Sequence, residues 1–279
     1  MEENKMKESA SLRFLYGNPF GRLVLRCLNG RWLSKAAGKF LDGGASKFLI
    51  KGFVEKNGID LTEYEKQEFD SFNDCFTRKI KEGGRPFDET PENFCSPCDG
   101  LLSAYRIEND TVLPVKQSAY TVSDLLGGDA AASLFYGGVC IVVRLCVDNY
   151  HRYAYPDSGT KGANTFIKGR LHTVRPIALE KYPVFTENCR EWTILHTDNF
   201  GEVAQIEVGA LLVGKIKNHL GEGSFSRGEE KGMFLYGGST VVLLTQRGKV
   251  DFPEEYFEKT AAGEEIPVRM GEVIGKSSN

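Results

Sequence analysis

The hydrophobic pattern of this chain changes near residue 90. Before that point the sequence is compatible with helices, and Gly83, Gly84 and Pro86 end the last helical stretch. From about residue 92, short β-branched runs alternate with Gly, Pro, Asn and Asp, which is typical of strands joined by tight turns. The clearest runs are residues 139–147, 203–216 and 240–245, and residues 198–201 are a hairpin turn between two runs. Helices followed by mainly antiparallel strands predict an α+β fold.

This change predicts two parts, a helical region of residues 1–90 and a β-rich core of residues 91–279. The helical part is basic between Arg13 and Lys51, where eight lysines and arginines face one acid, Asp42, with aromatic residues interleaved. Such a segment suits the surface of an anionic membrane. It is equally compatible with amphipathic helices packed on the core, with the basic face in water. Both interpretations stay open at this point.

Residues 59–83 predict one or two further helices, and Thr62 with Glu65 predicts a capping box at the start of one of them. No stretch of the chain approaches the roughly 20 apolar residues of a membrane-spanning helix. Any membrane contact is therefore expected to be peripheral, and a reduced, cytosolic protein would make this contact at the cytoplasmic face of the cell membrane.

Charge and cysteine usage argue against some partners and compartments. The formal charge of -3 provides no overall basic field, which argues against a nucleic-acid partner. Seven cysteines are an odd number and no signal peptide opens the sequence, so we expect reduced thiols in a cytosolic setting. Cys95 and Cys98 have the spacing of half a zinc site, but no second pair or nearby histidine completes it. We expect two free thiols near a turn and no metal.

The tetrapeptide Gly237-Gly-Ser-Thr240 precedes an apolar strand. Taken alone, it is a turn. It is also compatible with a self-processing site, in which the Ser239 hydroxyl attacks the carbonyl of Gly238 and converts the peptide bond into an ester. Loss of the Ser239 α-proton then eliminates the ester and leaves dehydroalanine, which hydrolyses to a pyruvoyl group. A weak hydroxyl nucleophile needs a base and a group that orients this base.

Histidines and an aspartate elsewhere in the chain are candidates for these two roles. His151 follows a predicted strand, and Asp99 lies in an Asp-Gly turn at the start of the β-rich part. Taken separately, such a histidine is usually structural, and an Asp-Gly pair is usually only a turn. His172 lies in a Leu-His-Thr string. His196 and His219 have no motif context and are interpreted as structural or surface residues.

Five segments, taken in their order along the chain, make the sequence resemble the phosphatidylserine decarboxylase family. They are Phe76-Thr-Arg-Lys79 with Arg85-Pro86, Ser96-Pro-Cys-Asp-Gly100, Tyr150-His-Arg-Tyr153, Gly169-Arg-Leu-His-Thr-Val-Arg-Pro176 and Gly237-Gly-Ser-Thr240. Glu207-Val-Gly-Ala-Leu211 and Met270-Gly-Glu-Val-Ile-Gly275 add support. The resemblance covers roughly residues 70–276, so it does not rest on one short pattern.

The resemblance implies a proenzyme that cleaves itself between Gly238 and Ser239, into a β chain of residues 1–238 and an α chain of residues 239–279. Asp99, a histidine and Ser239 would form the triad for this cleavage. The pyruvoyl group at 239 would form a Schiff base with the amine of phosphatidylserine and withdraw electrons as the carboxylate leaves. Carbon dioxide and phosphatidylethanolamine would be released. The resemblance also implies a homodimer.

One position departs from the family pattern. The family commonly has a second histidine three residues after the first, and this chain has Ala154 there. Because alanine cannot accept a proton, we hypothesise that His151 or His172 is the base for cleavage. The candidates, by charge, for binding the lipid phosphate are Arg152, Arg170 and Arg190.

Two other functions stay open from the sequence. The first keeps the pyruvoyl chemistry but acts on a soluble amino acid, and the basic, aromatic start of the chain argues against it. The second is a membrane-binding β module without catalysis, in which Gly237-Gly-Ser-Thr240 is only a turn. A serine hydrolase is disfavoured because the chain has no Gly-x-Ser-x-Gly elbow.

Overall fold

The computed structural model describes residues 10–18, 20–21, 31–108, 113–115, 118–170, 172–174, 176–179, 182–210, 215–235 and 239–278. Within these residues helices come first and strands then predominate, which confirms the predicted α+β class. The helices are α1 (Ala10–Gly17), α2 (Arg31–Asp42), α3 (Phe48–Asn57), α4 (Phe72–Phe76), α5 (Val122–Leu125), α6 (Pro176–Leu179), α7 (Val184–Glu187) and α8 (Glu254–Ala261). None of the described helices has both the length and the apolarity that crossing a membrane requires.

The chain between residues 59 and 83 contains less helix than predicted. A 3₁₀ turn, Leu61–Glu63, is followed by the short helix α4. The predicted capping box is wrong, because Asp60 and not Thr62 caps the turn. The Asp60 carboxylate accepts a hydrogen bond of 2.9 Å from the Thr62 amide. Tyr64 is already extended, so the helical backbone does not continue to the glutamate that would complete the box.

The strands are β1 (Asn93–Cys95), β2 (Gly100–Arg106), β3 (Leu113–Val115), β4 (Ser118–Tyr120), β5 (Val139–Leu145), β6 (Arg152–Ala154), β7 (Gly159–Lys161), β8 (Thr165–Ile167), β9 (Arg190–Thr197), β10 (Gly201–Val208), β11 (Lys215–Asn218), β12 (Gly223–Phe225), β13 (Glu230–Leu235), β14 (Ser239–Thr245), β15 (Val250–Asp251), β16 (Ile266–Val268) and β17 (Val273–Ser277). In the described part of the chain, a nine-stranded antiparallel sheet has the order β12-β7-β9-β10-β14-β5-β2-β16, with β8 beside β9. Smaller sheets have the orders β11-β13-β6 and β1-β17-β15, and β3 pairs with β4.

The predicted β runs correspond to strands, with changes at their ends. Two of them are β5 and β14, and residues 198–201 form the predicted hairpin turn between β9 and β10. Gly201 has a φ of 68°, which glycine adopts at little cost. The run 203–216 is wrong in length, because β10 ends at Val208 and β11 belongs to a different sheet.

The large sheet is buried on both faces. Val242 and Leu244 belong to a first core, with residues of α1, α5, α6 and α7. Val241 and Leu243 belong to a second core, with residues of β1, β6, β13, β15 and β17. Side chains along a strand point alternately to opposite faces. Ser239 is in phase with Val241 and Leu243, so its side chain points to the second core.

A substitution at Gly100, which starts β2, tests the pairing of β2 with β5. A Cβ added at Gly100 would lie 2.7 Å from Val143 Cγ1 and 2.8 Å from the carbonyl oxygen of Arg144. Because the backbone oxygen cannot move away, Gly100→Ala should lower the free energy of unfolding by about 1–3 kcal/mol, the usual cost of overpacking. Urea unfolding followed by circular dichroism measures the difference.

The matched control is Gly52→Ala in α3, where an added Cβ would meet nothing within 4 Å. This variant should gain roughly 0.5–1 kcal/mol, because alanine is the better helix former. Parental stability of Gly100→Ala would contradict the close approach of β2 and β5.

Candidate active site

One end of the nine-stranded sheet brings Asp99 and Ser239 together. β14 starts at Ser239, which pairs with Leu145, the last residue of β5. β2 pairs antiparallel with the other side of β5 and starts at Gly100, one residue after Asp99. The two predicted site residues therefore lie at the same edge of the sheet, separated by two strand spacings, or about 10 Å.

The Ser239 side chain is fully buried. Its Oγ makes no hydrogen bond with any residue that the structure describes. Leaving a buried polar group unpaired costs about 1–3 kcal/mol, so this hydroxyl does not stabilise the fold through a hydrogen bond and is a candidate for chemistry. Gly238, the other residue of the predicted cleavage site, lies outside the described residues.

Two neighbours hold the Asp99 carboxylate in a fixed orientation. Arg85 donates from Nε to Oδ1 at 2.9 Å and from Nη2 to Oδ2 at 2.8 Å, and the Met270 amide donates to Oδ1 at 2.9 Å. The hydrogen bonds to Asp99 raise the pKa of Arg85. None of these contacts involves a histidine, so the place of Asp99 in a triad stays a hypothesis. Met270 follows Ser239 in the sequence, so Asp99 is bound by residues from both sides of the predicted cleavage site.

A surface cavity of about 500 Å³ opens beside Asp99. Its lining includes Arg85, Tyr150 and Arg269. A polar group that enters this cavity can approach Asp99 from solvent, whereas Ser239 stays covered by protein.

His151 lies beside the strand that leads towards Ser239. Its carbonyl accepts a hydrogen bond of 2.9 Å from the amide of Phe234, in β13. The ring Nδ1 lies 2.9 Å from the carbonyl oxygen of Asn149. Because a carbonyl only accepts, Nδ1 carries the proton and Nε2 has the lone pair that a general base requires. The ring is fully buried, with its centroid 4.0 Å from that of Phe76.

Arg78 supports the turn that orients His151, a role that the sequence analysis missed. Its Nη2 donates to the carbonyl oxygens of Asp148 at 2.9 Å and Asn149 at 3.3 Å. Its guanidinium also lies 4.5 Å from the centroid of the Tyr64 ring. The sequence signal for this role was the Phe-Thr-Arg-Lys segment itself, which contains the arginine but does not indicate its partners.

His172 also lies at this end of the sheet. The Asn188 side chain binds the His172 amide and carbonyl, each at 2.8 Å, and donates at 2.7 Å to the carbonyl of Gly209. Gly209 follows β10, which pairs with β14, so His172 is fixed to the edge at which Ser239 starts. Burial lowers the pKa of His172 to about 4.

The two histidines differ in the face of the sheet that they occupy. The His172 ring stacks on Tyr182, with centroids 4.4 Å apart, and adjoins Tyr16, which belongs to the first core. Ser239 points to the second core, which includes Phe234 of β13, and the amide of Phe234 binds the backbone of His151. This arrangement favours His151 over His172 as the base for the Ser239 hydroxyl.

The three arginines that were candidates for binding phosphate differ in exposure. Arg152 is partly buried and binds Glu230 at 2.8 Å. Arg190 is buried and donates to four backbone carbonyls, and burial lowers its pKa to about 10. Arg170 is exposed, and among the three it is the one best placed to meet an anionic group from solvent.

Ala154 lies beside the Asp99 segment. It is buried in β6, and its amide donates to the Pro97 carbonyl at 2.8 Å. Pro97 is two residues before Asp99. The position at which the family commonly has a second histidine is therefore close to Asp99, and in this chain it adds no titratable group.

The remaining histidines and the cysteine pair weighed from the sequence have other surroundings. His196 and His219 are exposed, as expected, and each pairs with a glutamate. Cys95 and Cys98 are buried free thiols, and burial raises the pKa of Cys95. The described residues contain no cluster of three or more His, Cys, Asp or Glu that could hold a metal ion.

Comparison with known proteins adds independent information. A family model described as phosphatidylserine decarboxylase matches residues 72–276. The chain is similar to phosphatidylserine decarboxylase proenzyme 2 of Clostridium acetobutylicum, with 43% identity over 99% of this chain and 94% of that protein. It is also similar to the phosphatidylserine decarboxylase proenzyme of Ruminiclostridium cellulolyticum, with 41% identity over 95% of this chain and 90% of that protein. The phosphatidylserine decarboxylase proenzyme of Clostridium perfringens is 37% identical, over 97% of this chain and 95% of that protein.

The lowered pKa of His172 predicts how stability depends on pH. The folded protein holds this ring neutral down to about pH 4, whereas an unfolded histidine titrates near about pH 6.5. Between these values the unfolded chain binds more protons, so acidification from pH 7 to pH 4 should lower stability. His172→Phe should remove this contribution and flatten the decrease. Melting temperatures measured across this range compare the two proteins, and parallel decreases would contradict the prediction.

Proposed function

Because the chain belongs to the phosphatidylserine decarboxylase family, we propose that it is made as a proenzyme, cleaves itself at the Gly238–Ser239 bond and then decarboxylates phosphatidylserine. The observation that carries the cleavage is the position of Ser239. Its buried hydroxyl starts a core strand, has no hydrogen-bond partner in the described part of the chain, and points to the core that includes Phe234, whose amide binds the backbone of His151.

The proposed cleavage is an internal rearrangement followed by an elimination. His151 Nε2 takes the proton of the Ser239 hydroxyl while Oγ bonds to the carbonyl carbon of Gly238. The C–N bond then breaks and the proton passes to the nitrogen of Ser239, which leaves an ester and a free amine. Removal of the Ser239 α-proton expels the Gly238 carboxylate and forms dehydroalanine. One water adds and ammonia leaves, so that a pyruvoyl group remains at residue 239.

The residues present fit a pyruvoyl group at this position. The group is built from the carbon atoms of Ser239, with oxygen in place of the nitrogen and without Oγ, so it needs no space beyond that of the serine. The buried start of β14 limits contact with bulk solvent, which protects a reactive carbonyl from side reactions. When present, the group supplies an electron-withdrawing carbonyl for the loss of the substrate carboxylate.

The smaller chain would stay in place after cleavage. It contributes β14 to the centre of the large sheet, where residues 239–245 pair with β5 and residues 240–245 pair with β10. Its Met270 amide also binds Asp99 of the larger chain. The two chains of the mature enzyme therefore share one core and one site.

The helices near the N-terminus support a location at a membrane surface. Phe40, in α2, and Phe48, at the start of α3, are 45% and 74% exposed, and their ring centroids are 6.5 Å apart. Lys39, Lys47 and Lys51 lie in the same stretch, and exposed aromatic rings with lysines suit an anionic lipid interface. The helix α3 also packs on α4 through aromatic rings, so packing on the protein and contact with a membrane can involve different faces of this helix.

A lipid substrate and a peripheral position at the membrane are consistent with each other, and together they favour phosphatidylserine over a soluble amino acid. Residues 22–30, which belong to the predicted membrane-associating region, lie outside the described residues. The cytoplasmic face of the membrane and the homodimer stay predictions from the resemblance.

Self-cleavage should be visible on a denaturing gel and by intact mass. The parent should contain two chains, residues 1–238 and 239–279, and Ser239→Ala should remain one chain because no hydroxyl can attack. His151→Gln should slow cleavage by about 10²–10⁴-fold, the usual contribution of a positioned base. His172→Gln is the matched control, a buried histidine at the same edge with its ring on the other face, and it should cleave at close to the parental rate.

Each outcome decides a separate part of the proposal. Normal cleavage of His151→Gln would contradict the choice of base. Active protein recovered as one chain with an intact Ser239 would contradict the cleavage. A cleaved parent that releases carbon dioxide from a free amino acid, but not from phosphatidylserine in vesicles, would favour the soluble substrate.

Membrane contact can be tested with vesicles of phosphatidylcholine and phosphatidylglycerol in a sedimentation assay. Burying a phenylalanine contributes about 1.5–3 kcal/mol, so Phe40→Ser/Phe48→Ser should lower the partition coefficient by about tenfold or more. Phe166→Ser is the control, because Phe166 is 52% exposed but lies on β8, away from these helices. Equal binding by the double variant and the parent would rule out this docking surface.

A further inference from the structure

A fully buried ion pair joins two sheets next to the proposed site. Lys231 Nζ donates to Glu207 Oε1 at 2.7 Å, and the two side chains are 1% and 0% exposed. Asn218 accepts from Lys231 at 2.9 Å and donates to Glu207 Oε2 at 3.2 Å, so each charged group has two partners. Burial raises the pKa of Glu207, and Lys231 acts in the opposite direction. Neither charged residue has a part in the cleavage steps described above.

The ion pair joins β13, which contacts His151, to β10, which is the neighbour of the strand that begins at Ser239. Glu207, on β10, pairs with Val241, which is two residues from Ser239 and on the same face of the sheet. Lys231 is on β13, which binds the backbone of His151. The ion pair is therefore a direct bond between the sheet that contains Ser239 and the sheet that holds His151.

The hydrogen-bond network extends to the strand that follows His151. Tyr153, two residues after His151, donates from its hydroxyl to Asn218 at 3.2 Å. Asn218 also donates to Glu191 on β9 at 2.9 Å. The same group of side chains thus connects β9 and β10 of the large sheet with β6, β11 and β13 of the small one.

A buried ion pair of this kind is a weak source of stability. Desolvation of the two charges offsets most of their attraction, and replacing such a pair by apolar residues of similar volume often leaves stability unchanged or higher. Apolar packing is non-directional, so it permits small shifts between packed sheets. Hydrogen bonds of 2.7 and 2.9 Å, in contrast, fix the position of one sheet on the other.

We propose that Glu207 and Lys231 are positioning residues for the self-cleavage at Ser239. By fixing β13 on β10, they set the distance between the His151 ring and the Ser239 hydroxyl. Proton transfer needs about 2.6–3.2 Å between the heavy atoms. A misplacement of about 1 Å can cost on the order of 100-fold in rate. This inference rests on the proposed cleavage at Ser239.

The test is the double variant Glu207→Leu/Lys231→Met, which removes both charges and keeps similar volumes. We expect a melting temperature at or above that of the parent, together with self-cleavage that is slower by about tenfold or more. Lys231→Arg keeps the charge and the hydrogen-bond donors, so it should retain more of the rate than the double variant. A role in stability alone would lower the melting temperature and leave cleavage by the folded fraction unchanged.

A second buried ion pair serves as the matched control. Arg227 and Asp157 are joined at 2.7 Å, and Asp157 also accepts from the amide of Asn199. Asn199 lies in the turn between β9 and β10, at the opposite end of β10 from the residues that pair near Ser239. Arg227→Met/Asp157→Leu should cleave at the parental rate, after correction for the folded fraction.

The outcomes separate this inference from the proposed function. Parental cleavage by a folded Glu207→Leu/Lys231→Met variant overturns the inference and leaves the cleavage at Ser239 in place. Absence of cleavage in the parent overturns the proposed cleavage instead. If the double variant does not fold, Asn218→Ala replaces it as the test. Asn218 bridges the two charged groups, and it is only partly buried, so its loss should disturb folding less. Slower cleavage at an unchanged melting temperature then supports the inference, and parental cleavage overturns it.

Discussion

The burial of β14 is the constraint on which the rest of the structure depends. The strand lies between β10 and β5, and all seven of its residues are buried. Its first residue is Ser239, so the hydroxyl is placed where water is excluded and where side chains alternate strictly between two cores. The phase of this alternation puts Ser239 with Val241 and Leu243, so its side chain points to the second core and away from the core that Tyr16, the neighbour of His172, joins.

The sequence was sufficient for the features that have local causes. Alternating β-branched residues predicted the central strands, and a glycine after Asp-Asn-Phe predicted the hairpin turn at residues 198–201. The capping box failed for an equally local reason, because Asp60 and Thr62 can both cap and the aspartate lies where the turn starts. Asp99 and Ser239 followed from the resemblance, and the order of the strands then accounts for their position at one edge of the sheet.

Contacts between residues that are far apart in the chain could not be predicted from local sequence patterns. The choice between His151 and His172 depends on which core each ring joins, and that depends on strand pairing between distant segments. The partners of Asp99 are 14 residues before it and 171 residues after it in the chain, and no local pattern signals either contact. The same holds for Glu207 and Lys231, whose ion pair joins two different sheets across 24 residues.

His151 and Asp99, the proposed base and its proposed orienting group, have separate partners. The carbonyl of Asn149 orients His151, whereas the carboxylate of Asp99 is bound by Arg85 and Met270. A neutral carbonyl stabilises a protonated imidazole less than a carboxylate does. Self-cleavage happens once in each molecule, so it does not need the speed of a reaction that is repeated at every turnover.

The contact between Asp99 and the amide of Met270 also has a consequence for the order of events during biosynthesis. The environment of Asp99 is complete only when Met270, 171 residues later in the chain, has been added. The strand β14 pairs with β5 and β10, which are translated before it. The contact of Asp99 with Met270, in contrast, needs a residue that is translated after β14. If Asp99 takes part in the cleavage, a nascent chain that has not reached Met270 lacks part of the machinery, and the backbone is cut only after this residue has been translated.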